Sequence, residues 1–480
     1  MLFNRPLITS QLTECMQHTP TADQRLAIER IVDFLETRVS YPCLILKGFA
    51  GTGKTTLIAA LVRLMLQYGK PFLLLAPTGR AAKVAGDAAQ SHASTIHRAI
   101  YVPYDSEGGP RFGLRQNTVK NRLFVVDEAS MIGEGSNPAR PDSLLRDLAS
   151  YIQQDARAKL LIVGDTAQLP PVGETMSPAL DVGRVRTLFP HTAEVALQEV
   201  VRQAKLSGIL RLATSIRESI SAQKPTLPAI HPSSVPDIRL VHPRDAMELI
   251  ARAYSNVGTE NAMVICRSNR QAIRYNLAIR SSILGFEMPL DGGDRMMVCR
   301  NSYFWTKKGG NLPFLANGDT IVVHRAKNFR SIHGMEFADL DFSLEDTPNE
   351  ELYATANLAA ANALSPALSS EQGRSLYSSI RTELVAEMGN ENLKSKLRNN
   401  PYINALELKY GYAITCHKAQ GGQWDCVFVD PQIFADTPID LQLLRWLYTA
   451  FTRARKMLYI VAPPEAMVAV EAREEFFTDW

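Results

Sequence analysis

The sequence predicts an α/β fold with two parallel-sheet cores, the second carrying an inserted β-rich segment and a helical segment. Between residues 44 and 200, short apolar strands alternate with helical stretches, at 44–46, 72–76, 123–126 and 159–163. A second set of apolar strands follows, at 262–266, 427–430 and 457–461. Strands alternating with helices are typical of parallel sheets covered by helices. Each set therefore predicts one core.

The composition is that of a globular protein with several cores. The chain has 480 residues, of which 46% are hydrophobic, and this favours about two to four domains. A net charge of +3 does not by itself indicate a nucleic-acid-binding protein. The six cysteines form no CxxC pair, so neither a zinc site nor disulfides are predicted. The start of the chain lacks a leader pattern and no apolar run reaches membrane-spanning length, so we expect a cytoplasmic protein with no membrane partner.

A glycine-rich loop follows the first apolar strand. Residues 48–55 read GFAGTGKT, a match to GxxxxGK[ST] between a strand and the helical stretch TTLIAALVRLM. Such glycines let backbone N–H groups converge on phosphate oxygens at a helix N-terminus, while Lys54 supplies a charge and Thr55 a hydroxyl for Mg²⁺. The loop predicts an ATP site with Mg²⁺ as cofactor. The residues assigned to bind nucleotide here are Gly48, Ala50, Gly51, Thr52, Gly53, Lys54, Thr55 and Thr56.

A pair of carboxylates ends the strand at 123–126. Asp127 and Glu128 stand where the carboxyl end of a parallel strand presents chemistry. Their position some seventy residues after the phosphate loop makes them its expected partners. We expect Asp127 to hold Mg²⁺ through water, and Glu128 to orient and deprotonate the attacking water.

Short motifs are spread along the chain in a characteristic order. They are TADQ at Thr21, GFAGTGKT, APTGRAAK at Ala76, STIH at Ser94, VVDEASM at Val125, GDTAQLPPVGE at Gly164, LQEVVRQ at Leu197, YAITCHKAQGGQWD at Tyr412 and LYTAFTRAR at Leu447. Over residues 21–455 this series resembles superfamily 1B helicases of the RecD-like and Dda-like branch. The resemblance implies two RecA-like motor cores and an ATP-dependent DNA helicase. It also implies movement from 5′ to 3′ along single-stranded DNA.

The same resemblance gives roles to further residues around the nucleotide. It implies adenine recognition by Gln24 and sensing of the γ-phosphate by Gln168. It implies two arginine fingers, Arg202 and Arg453, because charge on the transferred phosphoryl group must be met by positioned cations. Two residues of the HKAQGG segment, Gln420 and Gly421, are assigned to the nucleotide as well.

A single-stranded DNA track is implied across both cores. A motor of this class combines phosphate contacts with base stacking. The residues at matching positions are Pro77, Thr78, Arg80, Thr95 and His97 in the first core and Thr415, His417 and Lys418 in the second. A β-hairpin that separates the duplex is implied at 101–122, with Phe112 among its aromatic residues.

The remaining segments complete the predicted architecture. Residues 293–323 resemble the small β-barrel of RecD-like helicases, and residues 350–397 are expected to form two or three helices. The predicted division is a first core at 1–210 with a hairpin insertion at 99–122, a second core at 211–287 and 406–480, and an insertion at 288–405.

These expectations leave alternatives open. RNA could replace DNA as the track, because phosphate contacts dominate and the 2′-hydroxyl is the main discriminator. The chain could also serve as the motor subunit of a recombination or nuclease complex in DNA repair. We expect a monomer that acts on single-stranded DNA and duplex junctions, with a replication or recombination protein as a further partner.

Overall fold

The computed structural model describes residues 5–16, 18–106, 109–134, 143–201, 207–231, 235–306, 312, 314–365, 367–388, 392–434 and 436–477. The chain divides into two compact units. Unit 1 comprises Met1–Val102, Phe112–Pro243 and Ala419–Trp480, and unit 2 comprises Pro103–Arg111 and Arg244–Lys418. The predicted boundary after residue 210 falls inside a helix, and the predicted domain division stays a prediction.

Strands and helices alternate along most of the described chain. The strands are β1 (Pro42–Gly48), β2 (Phe72–Ala76), β3 (Ala93–Thr95), β4 (Tyr101–Ser106), β5 (Gly109–Leu114), β6 (Leu123–Val126), β7 (Lys159–Gly164), β8 (His191–Leu197), β9 (Ile238–Val241), β10 (Ala262–Cys266), β11 (Arg295–Val298), β12 (Thr320–Ile332), β13 (Met335–Leu344), β14 (Thr347–Asn357), β15 (Leu406–Tyr410), β16 (Ala413–Thr415), β17 (Trp424–Asp430) and β18 (Ala454–Val461). The helices are α1 (Arg5–Glu14), α2 (Ala22–Glu36), α3 (Lys54–Gln67), α4 (Gly79–Ala89), α5 (Ile96–Ile100), α6 (Leu144–Ile152), α7 (Val182–Leu188), α8 (Gly208–Ser221), α9 (Ala246–Val257), α10 (Asn269–Ala278), α11 (Ser370–Met388), α12 (Leu393–Arg398), α13 (Cys416–Ala419), α14 (Leu441–Phe451) and α15 (Val470–Phe477).

Unit 1 contains a six-stranded parallel sheet in the order β3-β2-β6-β7-β1-β8. Its strands β1, β6 and β7 are buried on both faces, since successive side chains point to opposite sides and nearly all of them are buried. In β1, Leu44 and Leu46 join the core with α1, α2 and α3, whereas Cys43 and Ile45 join the core with α5, α6 and α7. Burial on both faces explains why these strands read as continuous apolar runs. The carboxyl ends of β1, β6 and β7 meet at one edge.

Unit 1 also contains three further parallel strands, in the order β17-β18-β9. The helix α14 lies between β17 and β18 in sequence and packs against α8. Its buried residues include Trp446, Leu447, Tyr448 and Phe451. This packing holds α14, which leads into the TAFTRAR segment, in place.

Unit 2 contains the parallel pair β10 and β16 and a closed barrel of β11 to β15. The barrel is antiparallel except where β14 pairs with β15. The predicted class, parallel-sheet cores with an inserted barrel and a helical segment, is confirmed. The barrel is longer than the predicted 293–323, because β13, β14 and β15 complete it.

One secondary-structure prediction was wrong. Residues 350–357, expected to be helical, belong to β14. There Leu352, Ala354 and Ala356 are buried at every second position and the strand pairs with β13. Partner strands supplied by the barrel outweigh the helical preference of this Ala- and Glu-containing segment. The predicted helices begin later, with α11 and α12.

The strands β4 and β5 form a two-stranded sheet at the place of the expected hairpin. Residues 107 and 108 and the side chains of 103–112 lie outside what the structure describes. The prediction for Phe112 therefore concerns a side chain outside the described residues. Among the helices that are described, none is both long and apolar enough to cross a membrane.

Candidate active site

The phosphate loop joins β1 to α3 in unit 1. Gly51 and Gly53 have φ of 76° and 86°, in the left-handed region that glycine adopts without strain. A Cβ on Gly53 would lie 2.4 Å from Gln24 Nε2. The helix begins at Lys54 without a side-chain cap, so its first N–H groups are left for an anion. Sequence and geometry agree that this loop is built to bind phosphate.

Lys54 lies between the loop and the end of β7. Its Nζ donates to the Phe49 carbonyl at 2.9 Å and lies 3.9 Å from Asp165 Oδ2. Asp165 is buried, and burial raises the pKa of its carboxyl, whereas Lys54 and a hydrogen bond from Tyr448 lower it. Asp165 was not among the residues predicted from the sequence, although it stands in the GDTAQ motif.

Asp127 and Glu128 stand at the carboxyl end of β6, as predicted. Burial raises the pKa of the Asp127 carboxyl to about 7, and the charge of Glu128 acts in the same direction. The Glu128 N–H, which donates to Asp127 Oδ1 at 2.8 Å, and the charge of Lys54 oppose that rise. Glu128 has a φ of 52°, a conformation that is uncommon for residues with a side chain. Because of this turn, the carboxylates of Asp127 and Glu128 point in different directions although the residues are adjacent.

These groups fit Mg²⁺ and a nucleoside triphosphate. Asp127 is a buried oxygen ligand whose charge Lys54 balances only in part, and Thr55 is an exposed hydroxyl in the first turn of α3. Hard oxygen donors that leave room for phosphate oxygens are the ligands Mg²⁺ prefers. Gln168 adds a buried Oε1 for which the described residues supply no hydrogen-bond donor. This oxygen is therefore able to accept a hydrogen bond from a bound molecule.

Gln24 lies beneath the phosphate loop. Its Nε2 donates to the Thr52 carbonyl at 2.9 Å and its Oε1 accepts the Thr21 N–H at 3.0 Å. The second bond is half of a capping box at the start of α2. Gln24 is fully buried, so the structure shows it as a support for the loop. Its contact with adenine stays a prediction.

The last turn of α14 reaches the site with Tyr448 and Thr449, and Arg453 follows just after the helix ends. Tyr448 Oη accepts the Ala50 N–H at 2.8 Å and donates to Asp165 Oδ2 at 2.7 Å. Thr449 Oγ1 accepts the Leu169 N–H at 2.8 Å. Tyr448 and Thr449 were not predicted from the sequence, although the LYTAFTRAR motif contains both. The sequence signal for them was the pair of adjacent hydroxyl side chains within an otherwise apolar helix.

Arg453 is held in place by the end of α14 and the loop before β17. Its guanidinium donates to the carbonyls of Thr449 and Gly422 at 3.0 and 3.2 Å and lies 3.8 Å from Glu128 Oε1. The residue is 3% exposed. The arrangement brings a fixed cation to the side chain expected to activate water, while the other predicted finger, Arg202, lies outside the described residues.

The predicted residues of the HKAQGG segment are close to the site. Gln420 Nε2 donates to the Leu169 carbonyl at 2.7 Å, next to Gln168. Gly421 has a φ of 72°, and a Cβ there would lie 2.5 Å from Ala81 Cβ. The contact of Gln420 thus uses its side-chain amide, and the position of Gly421 leaves no room for a side chain. Their contact with nucleotide stays a prediction.

The predicted track residues of unit 1 lie around α4 and α5. The hydroxyls of Thr78 and Thr95 cap these helices by accepting the N–H groups of Ala81 and Arg98. The Arg80 guanidinium stacks over the Trp424 ring at 4.4 Å. Pro77 and His97 are half-buried, and the His97 ring lies 5.6 Å from that of Tyr101. The structure gives Thr78, Thr95 and Arg80 local roles, and their contact with DNA stays a prediction.

The predicted track residues of unit 2 follow β16. Thr415 and Lys418 line a small cavity together with Asn269 and Lys409. Burial lowers the pKa of the half-buried His417 imidazole. No carboxylate is among the residues lining this cavity. The surroundings are thus suited to an anion.

Two family models match the chain. One is described as an AAA domain and matches residues 20–225, and the other as a UvrD-like helicase C-terminal domain and matches residues 410–461. The first covers the phosphate loop, Glu128 and Gln168, and the second covers Gln420 and Arg453. Fold and site therefore define a P-loop nucleotide-binding protein.

Relatives narrow that class. The chain is 25% identical over 449 residues to the "ATP-dependent RecD2 DNA helicase" of Deinococcus radiodurans, over 93% of this chain and 50% of that protein. It is 28% identical over 178 residues to the "ATP-dependent DNA helicase dda" of Enterobacteria phage T4, over 36% of this chain and 37% of that protein. A solved structure of Pif1 helicase from Candida albicans is similar with a TM-score of 0.46 and 15% identity, over 96% of this chain and 99% of that one.

The chain is similar to RecD-like and Dda-like DNA helicases and matches an AAA domain and a UvrD-like helicase C-terminal domain. It spans half of the RecD2 protein that it matches and 37% of the Dda protein. The activity of those proteins is therefore carried to this chain only as a proposal.

Proposed function

We propose that this protein hydrolyses ATP to move from 5′ to 3′ along single-stranded DNA and to unwind duplex DNA. The observation that carries the proposal is the position of Arg453, buried just after the end of α14 and 3.8 Å from Glu128, which follows β6. A cation from a separate segment of the chain beside the water-activating carboxylate is what a nucleotide-driven motor needs.

The hydrolytic step assigns one task to each group. Lys54 and the N-terminus of α3 bind phosphate oxygens, and Thr55 and Asp127 would hold Mg²⁺, which supplies positive charge when bound. Glu128 orients the attacking water and accepts its proton. Gln168, Arg453 and Arg202 contact the γ-phosphoryl group, where charge develops. Gln24 supports the loop from below, and Gln420 holds the Gln168 loop through Leu169.

Motion follows from contacts that depend on the γ-phosphate. With ATP bound, the segment carrying Lys54 and the segment carrying Arg453 contact the same ligand, which favours the conformation in which both lie against it. Hydrolysis removes those shared contacts, so that conformation is no longer favoured. Each cycle then changes the grip of the predicted track residues, Thr78 and Arg80 in one unit and Thr415 and Lys418 in the other, on the DNA backbone.

DNA as the track and 5′-to-3′ polarity rest on the family. Two relatives are named DNA helicases, and the STIH, GDTAQLPPVGE and YAITCHKAQG motifs resemble the RecD-like and Dda-like branch. The pair β4 and β5 supplies the element that would split the duplex. We propose action as a monomer on single strands and junctions, in repair, replication or recombination.

Polarity and track are tested together. The full chain is given identical DNA duplexes with a 5′ or a 3′ single-stranded tail at one salt concentration, with Lys54→Ala as the negative control. We expect unwinding of the 5′-tailed duplex alone. Preference for the 3′ tail would overturn the polarity but leave the ATPase assignment standing. Stronger stimulation of ATP hydrolysis by a matched RNA oligonucleotide than by DNA would make RNA the track.

A further inference from the structure

The hydroxyl of Tyr448 joins two parts of the nucleotide site. It accepts the Ala50 N–H of the phosphate loop at 2.8 Å and donates to the Asp165 carboxylate at 2.7 Å. The residue is 1% exposed. A phenylalanine would fill the same space, so the contribution of the hydroxyl is its two hydrogen bonds, which offset the cost of burying it.

Each partner of this hydroxyl belongs to the machinery that handles phosphate. Backbone N–H groups of such a loop are the donors that cradle phosphate oxygens, and Ala50 is one of its residues. Asp165 lies 3.9 Å from Lys54 Nζ. Because a hydroxyl has one proton, Tyr448 donates to Asp165 and can only accept from Ala50. The two hydrogen bonds therefore have one possible direction each, and both form only when Ala50, Asp165 and Tyr448 are positioned as they are here.

The arginine expected to act on the γ-phosphate follows the end of the same helix. Tyr448 and Thr449 lie in the last turn of α14, which ends at Phe451, and Arg453 comes two residues later. Thr449 Oγ1 accepts the Leu169 N–H, its carbonyl accepts the Arg453 Nε–H at 3.0 Å, and Arg453 lies beside Glu128. Because the last turn of α14 holds the Arg453 guanidinium, the anchor at Tyr448 helps to determine where that guanidinium stands relative to Glu128.

We propose that Tyr448 is a positioning residue for ATP hydrolysis: its hydroxyl bridge between Ala50 and Asp165 sets α14 in the register that aligns Arg453 with Glu128. This inference rests on the proposed ATPase activity. It adds a residue whose hydrogen bond couples the conformation of the phosphate loop to the position of α14. Tyr448 itself touches no reacting atom in this proposal.

The test is Tyr448→Phe in the full chain, with ATP hydrolysis measured in the presence of saturating single-stranded DNA. We expect kcat to fall about tenfold, which corresponds to one hydrogen bond's contribution in the transition state. The KM for ATP should stay within about twofold, because Lys54 and the amides of α3 still bind phosphate. The same change in an Arg453→Lys background should lower single-turnover hydrolysis less than twofold, because the two residues act in series.

Tyr412 supplies a matched control in unit 2. Its buried hydroxyl also accepts a backbone N–H, that of Arg295 at 3.0 Å, and donates to a carboxylate, that of Asp294 at 3.2 Å. Tyr412→Phe should lower the melting temperature to a similar extent and leave kcat within twofold.

Three outcomes would overturn the inference. They are an unchanged kcat in Tyr448→Phe, full multiplication of its effect with that of Arg453→Lys, and equal losses of kcat in the Tyr448 and Tyr412 variants. If the parent chain itself hydrolyses no ATP, the proposed function fails instead.

Discussion

The nucleotide site and the predicted DNA track are built in different ways. Around the phosphate loop, Lys54, Asp165, Tyr448 and Arg453 are buried or nearly so and bound to one another or to backbone. The predicted track residues lie on loops and helix starts of both units, and Thr78 and Thr95 cap helices there. A phosphoryl group in one position needs fixed partners, whereas a DNA backbone is held by many separate contacts.

This difference predicts a scale of effects. Loss of one group in the nucleotide site removes a function that no neighbour can supply. Loss of one track residue removes a single contact among several. Substitutions ranked by effect on activity therefore test whether the two regions differ as the structure indicates.

The largest effects are expected at Lys54 and Glu128. We expect Lys54→Ala and Glu128→Gln each to abolish ATP turnover, measured as DNA-stimulated phosphate release. Lys54→Ala should also weaken nucleotide binding, because a phosphate-binding charge is lost. Glu128→Gln should retain binding, because only the proton acceptor is removed.

The ion pair of Lys47 and Glu194 provides the controls for these two variants. It joins β1 to β8 at 2.7 Å and is partly exposed. Lys47→Ala and Glu194→Gln repeat the same chemical changes on neighbouring strands, and turnover should remain close to that of the parent because exposed pairs contribute little. Normal turnover in either Lys54→Ala or Glu128→Gln would disprove the site assignment.

Arg453→Lys should lower hydrolysis by about a thousandfold at nearly unchanged nucleotide affinity, as for loss of an arginine finger. Lysine keeps the charge but not the fork that binds the carbonyls of Thr449 and Gly422 while facing Glu128. Arg455→Lys is the matched control, since Arg455 is half-exposed and paired with Asp425 at 2.9 Å. Hydrolysis within about twofold of the parent in Arg453→Lys would show that Arg453 only holds the end of α14.

The contrast between the two regions also explains what the sequence could predict. The phosphate loop and the Asp127–Glu128 pair were predictable because their chemistry demands particular residues at particular places along a strand or helix. Tyr448 was not, because its role depends on Ala50 and Asp165, which lie about 400 and 280 residues away and reach it only through the fold. An apolar helix with a tyrosine is usually a packing element.

The fold shows the same limit. The parallel cores could be predicted, because strands such as β1 and β6 are buried on both faces and need continuous apolar runs. The extent of the barrel could not, since residues 350–357 become a strand only where β13 and β15 offer partners. Gln24 was selected by its motif, but its link to Thr52 depends on a turn that the motif does not encode.

The smallest effect is expected on the track, at Lys418. It lines the unit 2 cavity with Thr415 and Asn269, and we expect it to meet one backbone phosphate. Each phosphate contact on a single strand contributes about 0.7 to the slope of log affinity against log salt. Lys418→Gln should therefore lower that slope by about 0.7, measured by titrating a labelled oligonucleotide at several salt concentrations. Affinity at one salt should fall only a few fold.

A change of that size needs a control with the same loss of charge. Lys456 is 72% exposed and paired with Asp425 at 2.8 Å, so Lys456→Gln removes a cation that the protein itself neutralises. Its salt slope should match that of the parent. If Lys418→Gln also keeps the parent slope, Lys418 meets no phosphate and the second half of the track lies elsewhere. If instead Lys418→Gln abolishes binding, the track depends on single residues as the nucleotide site does, and the distinction between the two regions fails.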